Sequence, residues 1–483
     1  MRKARIAALA AGAGALAVAA VAAVAPALPA ASAARAPSAT LAGNSPRITL
    51  KPGIIRLHTI ARQGPSTTAQ CEQNFNIACY GPNQIRSAYG LPTVYAKGIT
   101  GKGMTIAIVD SFGSPTIKND LAAFDKQFGY PPPPSFRIVT PAGVIPKFNE
   151  NNSDMTGWAS ETTLDVEYAH ALAPGANILL VETPVSETEG VTGFPQIVTA
   201  ENWVINHGLA SVISQSFSAT EQTFKNYAQL KPLRAAYLNA QTHDVTVLAA
   251  SGDSGATDVG LDQVTYYTHT VTSWPDSDPL VTAVGGTQLK LSGGKYTSVV
   301  WNDTYNKAWN EYFDENSGPS PFASGGGKSE FFARPSWQAK VRGVTGNHRG
   351  VPDISMSASC NGSVNVYSTF PAPGQLPGWS LICGTSEATP EFAAIVALAD
   401  QVAGHPLGVI NPTLYALYAA HAPGIVNVTS GNNSVSFFQG TANKEYTVKG
   451  YSANANGGYN LATGVGTIYA PDFVYELAGV KVP

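Results

Sequence analysis

The sequence predicts an α/β fold: a doubly wound, mostly parallel β-sheet with helices on both faces, contained in a single large domain. Continuous apolar stretches of strand length alternate with helical stretches, which is the pattern of a parallel sheet covered on both sides. No internal repeat interrupts the alternation, and no linker divides the body of the chain. We therefore expect one folded body rather than several small domains.

Five apolar runs are predicted to be the strands of this sheet, because each is continuous and bounded by helical or turn-rich sequence. They cover residues 104–110, 178–181, 211–214, 245–250 and 280–284. Helices are predicted over residues 117–128, 158–172, 197–206 and 392–399. In sheets of this kind the functional site lies at the carboxyl ends of the strands. The loops after Val109, Ser214 and Ala250 and the segment around residue 386 are therefore the regions to inspect.

Composition argues against a nucleic-acid-binding protein and favours an exported globular one. The net charge is −3 and only 13% of the residues are charged, whereas a nucleic-acid binder carries a basic stripe. Gly, Ser, Thr, Asn and Tyr supply polarity instead, and a hydrophobic content of 44% allows a sizeable core. We expect the mature protein to be a soluble, secreted monomer.

The N-terminus has the parts of a secretory signal, predicted over residues 1–33. A basic start precedes a long Ala/Val/Leu run broken at Pro26, and Ala31-Ser32-Ala33 is a small-x-small cleavage site. The alternative is that this run is a membrane anchor. Outside the run, no stretch approaches the roughly 18 apolar residues that a membrane helix needs. Residues 34–78 are predicted to be a flexible leader or short pro-segment, and residues 79–483 the folded domain.

Four cysteines in an exported chain predict two disulfides, for which three connectivities are possible. Local pairing is the simplest, with Cys71 joined to Cys79 and Cys360 joined to Cys383. Metal binding by these cysteines is disfavoured, because no Cys-x-x-Cys pair occurs.

Ser386 is the strongest candidate for a nucleophile. It lies in Gly-Thr-Ser-Glu-Ala-Thr-Pro, residues 384–390, which opens an apolar run predicted to be helical. The proline is placed in the first turn of that helix, where it costs little. The free N–H groups and positive dipole of a helix N-terminus favour developing negative charge. The alternative is a plain helix cap, which is the commoner role of an isolated serine.

A serine nucleophile needs a base, and the sequence offers two carboxylates for that role. Glu161 and Asp165 are four residues apart in a predicted helix, so both lie on one face. Paired carboxylates raise each other's pKa, so that one can accept a proton while the other orients it. The alternative is a solvated acidic face. His170, in the same helix, is interpreted as structural.

Asp253 lies in the turn Ala-Ser-Gly-Asp-Ser-Gly, residues 250–255, directly after the fourth predicted strand. Glycines on both sides of it let the backbone turn sharply, so Asp253 is either a turn residue or a side chain directed into the site. A carboxyl that stays protonated can donate a hydrogen bond to an oxyanion. Asp253 is therefore a further candidate site residue.

These motifs together resemble the sedolisin (serine-carboxyl peptidase) family of the subtilisin-like superfamily. The resemblance rests on the Glu161/Asp165 motif, the Asp253 turn and Gly-Thr-Ser386, in that order, and covers roughly residues 79–470. Supporting similarities lie in residues 212–217, 284–287, 334–338 and 351–355. The resemblance implies a subtilisin-like fold and a serine-type peptidase, either an endopeptidase or a tripeptidyl peptidase, acting on proteins or peptides at low pH. It implies that Ser386 is the nucleophile and Glu161 the general base. Asp165 then orients the base, and Asp253 is the oxyanion donor.

The chain departs from the family pattern in two places. The family carries a large prodomain of its own fold, whereas only residues 34–78 separate the predicted signal from the predicted domain. The family also binds one calcium ion near its C-terminus through two stretches that contain aspartate. Asn427, Val428 and Asn460 occupy the matching positions here. Because calcium affinity depends on ligand charge, we expect this site to be degenerate, and we expect no other cofactor.

Two rival interpretations remain. Ser254, in Gly-Asp-Ser-Gly, resembles the nucleophile of chymotrypsin-like peptidases and of a class of lipases. The first class is all-β, and the second needs an Asp-x-x-His near the C-terminus that is absent here. The other rival is a secreted binding or cell-surface protein that keeps the fold without activity, although all four catalytic positions carry the expected residue types.

Overall fold

The computed structural model describes residues 64–306 and 318–482, together with the backbone of residues 59–60. These residues belong to one compact unit, residues 46–483. The predicted signal over residues 1–33, and residues 34–58 and 61–63 of the predicted leader, lie outside the described residues. Among the helices that are described, none combines the length and apolar character needed to cross a bilayer.

Strands and helices alternate through most of the described chain. The strands, numbered in chain order, are β1 (Thr59–Ile60), β2 (Cys79–Tyr80), β3 (Thr105–Ser111), β4 (Phe136–Val139), β5 (Asn177–Thr183), β6 (Val212–Gln215), β7 (Ala219–Thr220), β8 (Thr246–Ala250), β9 (Ser273–Trp274), β10 (Thr282–Ser292), β11 (Lys295–Val300), β12 (Gly327–Ala333), β13 (His348–Val351), β14 (Ile354–Ser357), β15 (Ser363–Ser368), β16 (Gly378–Ile382), β17 (Ile425–Val426), β18 (Val435–Gln439), β19 (Lys444–Val448) and β20 (Thr467–Ile468). The helices are α1 (Thr68–Phe75), α2 (Pro82–Ala88), α3 (Leu91–Tyr95), α4 (Ile117–Phe128), α5 (Ser153–Leu172), α6 (Phe194–Asn206), α7 (Tyr227–Leu230), α8 (Ala235–Thr242), α9 (Arg342–Thr345), α10 (Thr385–Ala403), α11 (Asn411–Ala419) and α12 (Ala470–Leu477).

An eight-stranded sheet runs through the centre of the fold. Its order is β11-β10-β8-β6-β3-β5-β4, with β14 paired to β10 beside this path. All neighbouring pairs from β4 to β10, and the pair β10–β14, are parallel, and β11 alone is antiparallel to its neighbour. The five predicted strands are β3, β5, β6, β8 and β10, so the predicted α/β fold with its mostly parallel sheet is confirmed.

Helices cover both faces of this sheet, and the alternation along β3 shows how. Ile106 and Ile108 join the core formed with α5 and α10, whereas Ala107 and Val109 join the core formed with α6 and α8. Successive side chains of a strand point to opposite faces, so an apolar run with no polar gap fits a sheet buried on both sides. The continuous run in the sequence is therefore a consequence of the two helical layers.

The two predicted disulfides are present. Cys71 is joined to Cys79 and Cys360 to Cys383. The first ties α1 to β2, and the second ties the chain before β15 to the residue that precedes the Gly384 turn. Local pairing is thus confirmed over the other connectivities.

The beginning of the folded body differs from the expectation that residues 34–78 form a flexible leader. Within the described part of that segment, Thr67 caps helix α1, accepting a hydrogen bond from the backbone N–H of Gln70. Ser66 exchanges hydrogen bonds with the side chain of Asn365, at 2.8 and 3.0 Å. Residues 64–78 are thus folded against the body, because a disulfide and buried amide contacts compensate for their scarcity of large apolar side chains.

Candidate active site

Ser386 is the second residue of helix α10 and is fully buried. The turn before it requires glycine, because Gly384 has φ 133°, a conformation that L side chains rarely adopt. Its N–H donates to the carbonyl of Ala358 at 2.8 Å, which anchors the turn to the end of β14. Pro390 is the sixth helical residue rather than a first-turn residue as expected. It therefore leaves the Ser386 carbonyl without its usual intrahelical donor.

Helix α5 supplies the two predicted carboxylates. It begins after Asn152, whose side chain accepts a hydrogen bond from Met155 N at 3.0 Å, and its last sixteen residues, 157–172, are all buried. Glu161 is 2% exposed and Asp165 is fully buried. The solvated acidic face is therefore excluded. Because α5 packs directly against α10, the carboxylates lie beneath the start of the helix that carries Ser386.

Glu161 lies against the Ser386 hydroxyl. Burial is the main cause that raises the pKa of Glu161 well above its usual range, followed by the charges of Asp165 and Asp110. The Ser386 hydroxyl opposes this rise by stabilising the ionised form. The contact is still loose, because neither side chain completes a well-formed hydrogen bond with a described residue. Catalytic hydrogen bonds of an enzyme without substrate are often loose in this way.

Asp165 stands behind Glu161 and is held in turn by Ser216. The hydroxyl of Ser216, the first residue after β6, donates to Asp165 Oδ1 at 3.1 Å. Burial raises the pKa of Asp165 well above its usual range, and the charge of Asp110 adds to it, whereas contacts with Ser216 and Glu161 lower it. The side chains thus form a series from Ser386 through Glu161 and Asp165 to Ser216.

Asp110 is a residue of this site that the sequence reasoning missed. It is the sixth residue of β3, it is 1% exposed, and burial raises its pKa to about 7. The nearby hydroxyl of Thr162, on α5, opposes that rise, and the charge of Glu182 adds to it. The available signal was a charged residue closing an otherwise apolar strand, at the sheet edge where the site was expected. Three neighbouring buried carboxyls cannot all be ionised, so Asp110, Glu161 and Asp165 share protons.

Asp253 is joined to the nucleophile helix through Thr385. The backbone N–H and the hydroxyl of Thr385 both donate to Asp253 Oδ1, each at 2.7 Å, and Gly252 N donates to the same hydroxyl at 3.2 Å. The negative charge of Asp253 also adds to the rise in the pKa of Glu161. Because Oδ1 accepts both Thr385 bonds, the proton of a neutral Asp253 belongs on Oδ2. Of the two alternatives left open by the sequence, the structure favours a side chain that faces the start of α10.

Two other candidates lie apart from this group. The Ser254 hydroxyl donates to Asp258 Oδ1 at 3.3 Å, so it pairs with a carboxylate and not with a histidine. His170 is fully buried and its Nε2 lies 2.9 Å from Pro131 O and 3.3 Å from Asp125 Oδ1. That arrangement agrees with its interpretation as a structural residue.

The residues at the expected calcium positions do not fit that ion. Asn427 Oδ1 accepts a hydrogen bond from Gly458 N at 3.0 Å, and Asn460 Oδ1 accepts from Ala462 N and Thr463 N at 3.0 and 2.9 Å. Val428 is buried beside them. These oxygens are neutral and already engaged, whereas calcium prefers several carboxylates. Nowhere in residues 64–306 and 318–482 do three His, Cys, Asp or Glu side chains gather as a metal site.

The chain is similar to known proteins in both sequence and structure. The profile of the subtilase family matches residues 141–454, more than half of the chain. Kumamolisin of Bacillus sp. (strain MN-32) is 32% identical over 364 residues, which are 74% of this chain and 58% of the relative. Sedolisin of Pseudomonas sp. (strain 101) is 28% identical over 423 residues, 86% of this chain and 64% of the relative. The chain thus spans less than two thirds of the length of these curated relatives.

A solved structure with the same architecture is that of Pseudomonas sedolisin (serine-carboxyl proteinase) complexed with two molecules of pseudo-iodotyrostatin. It superposes with a TM-score of 0.64 at 25% sequence identity. The match covers 83% of this chain and 99% of that one. The described fold therefore includes the whole of that structure's body.

Proposed function

The chain belongs to the sedolisin (serine-carboxyl peptidase) family of the subtilisin-like superfamily, and from this premise we propose that it is a secreted serine-type peptidase. It hydrolyses peptide bonds of proteins at acidic pH, through an acyl-enzyme formed on Ser386. A single observation carries the proposal: the Ser386 hydroxyl, at the N-terminus of a buried helix, meets a buried carboxylate, Glu161, from the helix packed beneath it.

In the first half of the reaction Ser386 Oγ attacks the carbonyl carbon of the scissile bond. Glu161 accepts the hydroxyl proton as the Oγ–C bond forms, and Asp165 holds Glu161 in position. The carbonyl oxygen becomes an oxyanion, which accepts a hydrogen bond from a protonated Asp253. The N–H groups at the start of α10 and their dipole favour the same negative charge.

The intermediate collapses when Glu161 returns its proton to the leaving nitrogen. The C–N bond breaks, the amine product departs, and the acyl group remains on Ser386. Water then attacks the ester carbon while Glu161 takes its proton, and collapse of the second intermediate returns a proton to Ser386 Oγ. A carboxylate base suits this cycle at acidic pH, where a histidine would already be protonated.

The alternative is a catalytically inactive secreted binding or cell-surface protein on the same fold. It is disfavoured by the cost of the arrangement, because a binding protein has no use for three buried carboxyls beside a serine hydroxyl. Burial raises the pKa of each, and Asp110 adds to the rise in Glu161 and Asp165. Beside a serine hydroxyl, such a group is suited to taking up and returning a proton.

The test is digestion of a peptide library from pH 3 to 8, read by mass spectrometry, with Ser386→Ala as the matched control. We expect cleavage by the wild-type chain at acidic pH, a covalent adduct with a serine-reactive probe, and neither with Ser386→Ala. Failure of the wild type to cut any peptide at any pH would support the inactive alternative. Equal cleavage by Ser386→Ala would move the nucleophile elsewhere.

A further inference from the structure

A cavity of about 200 Å³ opens beside the catalytic carboxyls. We call it the Phe112 pocket; its walls are Phe112, Ile145, Pro146, Phe148, Met155 and Glu182. Cavities that hold a complete small ligand are generally 300 Å³ or larger. The Phe112 pocket is therefore of the size that takes one side chain.

The pocket adjoins the catalytic carboxyls, because the charge of its lining residue Glu182 acts on Asp110. Phe112 follows Asp110 by two residues, and the charge of Asp110 acts on both Glu161 and Asp165. Met155 lies in the first turn of α5, six residues before Glu161, which is about 9 Å along the helix axis. A peptide lying across the carboxyl ends of β3 and β6, with its scissile bond at Ser386, thus passes within side-chain reach of the pocket.

The backbone around the pocket is held in an unusual conformation. Phe112 has φ 61°, a left-handed conformation uncommon for an aromatic residue, and its N–H donates to Thr183 O at 2.9 Å. The next residue, Gly113, has φ 69°, a left-handed conformation that favours glycine, and a Cβ there would press on the Glu182 carboxyl. Such local strain is typically kept where it serves a site. Here it places an aromatic ring on one wall and makes room for a carboxyl on another.

The opposite wall is preformed. Asn149 N donates to the sulfur of Met155 at 3.3 Å, which ties the loop before α5 to the helix. The ring of Phe148 packs edge-on against Phe370, with centroids 6.1 Å apart. Because the loop and the ring are held by contacts within the protein, little ordering entropy is lost when a side chain enters.

The chemistry of the lining is apolar with a polar end. Burial raises the pKa of Glu182 to about 7, although the charge of Lys118 opposes the rise, so Glu182 is neutral at acidic pH. The Ser114 hydroxyl also lines the pocket; it is 5% exposed and has no hydrogen-bond partner among the described residues. The pocket thus presents aromatic and aliphatic surface with a hydroxyl and an uncharged carboxyl at its end.

We propose that the Phe112 pocket is a specificity subsite, which binds one large apolar or aromatic side chain of the substrate near the scissile bond. The inference rests on the proposed peptidase function and adds to it the class of residue that the enzyme selects. An apolar pocket of one side chain commonly discriminates large from small residues by about 10- to 200-fold in kcat/KM.

The experiment compares peptides that differ at one position at a time, scanned through every position flanking the cleaved bond, with Gly, Ala, Leu, Phe, Tyr or Lys. In the wild type, one position should prefer Leu, Phe or Tyr over Ala by about 10-fold or more at pH 4. Ile145→Trp, which fills the pocket from one of its walls, should abolish that preference, so that the Leu, Phe and Tyr peptides are cleaved no faster than the Ala peptide. Val144→Trp is the matched control. Because Val144 is 90% exposed, this substitution should leave the preference unchanged.

Two further variants keep the test decisive. If Ile145→Trp does not fold, Phe148→Ala should enlarge the pocket and move the preference toward Trp peptides. In the residual activity of the wild type at pH 8, where Glu182 is ionised, the ratio of Lys to Ala cleavage at that position should exceed its value at pH 4, and Glu182→Gln should remove this change. An identical preference profile in all the variants would overturn the subsite. A wild type that cuts none of the peptides would instead refute the peptidase function itself.

Discussion

Helices α5 and α10 pack against each other, and among the buried carboxylic acids of each is one pair four residues apart. On α5 the acids are Glu161 and Asp165, and on α10 they are Glu387 and Glu391. The two pairs have the same spacing and the same near-complete burial. The ion pairs of the described residues involve other carboxylates, those of Asp125, Asp278 and Asp353.

The neighbours of the two pairs differ. Glu161 and Asp165 meet the hydroxyls of Ser386 and Ser216 at the carboxyl edge of the sheet. Glu387 and Glu391 face the interior, where Glu387 lies near the Ser357 hydroxyl and both act on the phenol of Tyr89.

Burial raises the pKa of both Glu387 and Glu391 well above the usual range, as it does for the α5 pair. Spacing and burial are therefore shared, and only the α5 pair lies against a nucleophile. The α5 pair is expected to carry the reaction, whereas the α10 pair makes the packing of α10 sensitive to pH.

The largest expected difference is in catalysis. Ser386→Ala and Glu161→Gln should each lower kcat by about 10⁴- to 10⁶-fold, and Asp165→Asn by a similar order. Combining them should add little, because the residues act as a unit. Glu391→Gln is the matched control: it changes an equally buried acid of the same type and should keep kcat within a few-fold at pH 4. The measurement is single-turnover cleavage of a peptide found in the library digest.

This prediction can fail in two informative ways. Near-normal activity of Glu161→Gln would remove Glu161 as the base. An equal collapse of activity in Glu391→Gln, with the fold intact by near-UV circular dichroism, would erase the distinction between the two pairs.

The next largest effect concerns Asp253, which lies near both pairs. Asp253→Ala removes the oxyanion donor and should lower kcat by about 10²- to 10³-fold. Glu161 must be ionised and Asp253 protonated, so kcat/KM against pH should be bell-shaped, with limbs that report the coupled groups. Asp253→Asn keeps a donor that cannot ionise, so its remaining activity should extend toward neutral pH. An alkaline limb that does not move in Asp253→Asn would assign that titration to another group.

A smaller effect is expected on stability, and it belongs to the α10 pair. A carboxyl whose pKa is raised in the folded state binds more protons when folded. Its contribution to the free energy of unfolding is therefore fully present below the unfolded pKa, near 4.3. That contribution is lost as pH rises toward the folded value. The double variant Glu387→Gln/Glu391→Gln should therefore lose less thermal stability than the wild type between pH 4 and pH 8.

Thermal unfolding followed by circular dichroism measures this difference. Glu445→Gln serves as the control, because Glu445 is exposed on β19 and should reproduce the wild-type pH dependence. If the double variant loses as much stability as the wild type on going to pH 8, the α10 pair does not hold protons in the folded state.

The smallest effect should follow removal of calcium. The oxygens of Asn427 and Asn460 are already bound to backbone N–H groups, so a chelator should change the unfolding temperature by no more than about a degree. The test is calorimetry with and without chelator, with added calcium as the reverse titration. A drop of many degrees on chelation would reveal an ion held by other ligands.

The sequence predicted the sheet well and the site in part. Strands β3, β5, β6, β8 and β10 were recognisable because each is buried on both faces and so is apolar throughout. Ser386, Glu161, Asp165 and Asp253 were recognisable because their motifs are longer than a cap, a surface helix or a turn requires. The motif Glu387-x-x-x-Glu391 has the same form as the α5 motif, directly after the nucleophile, and was not singled out.

The sequence by itself determined the parallel architecture, the local disulfides and the pairing of acids on α5 and α10. For the acids it determined no more than this, because spacing along a helix reports only which side chains share a face. Which face meets a hydroxyl and which meets the interior depends on how α5 and α10 are packed. The packing of α5 against β3 brings Asp110 and Thr162 together across more than fifty positions of sequence. Tertiary structure alone decided these relations, because a carboxyl's pKa depends on the burial and charges of neighbours that are distant in the chain.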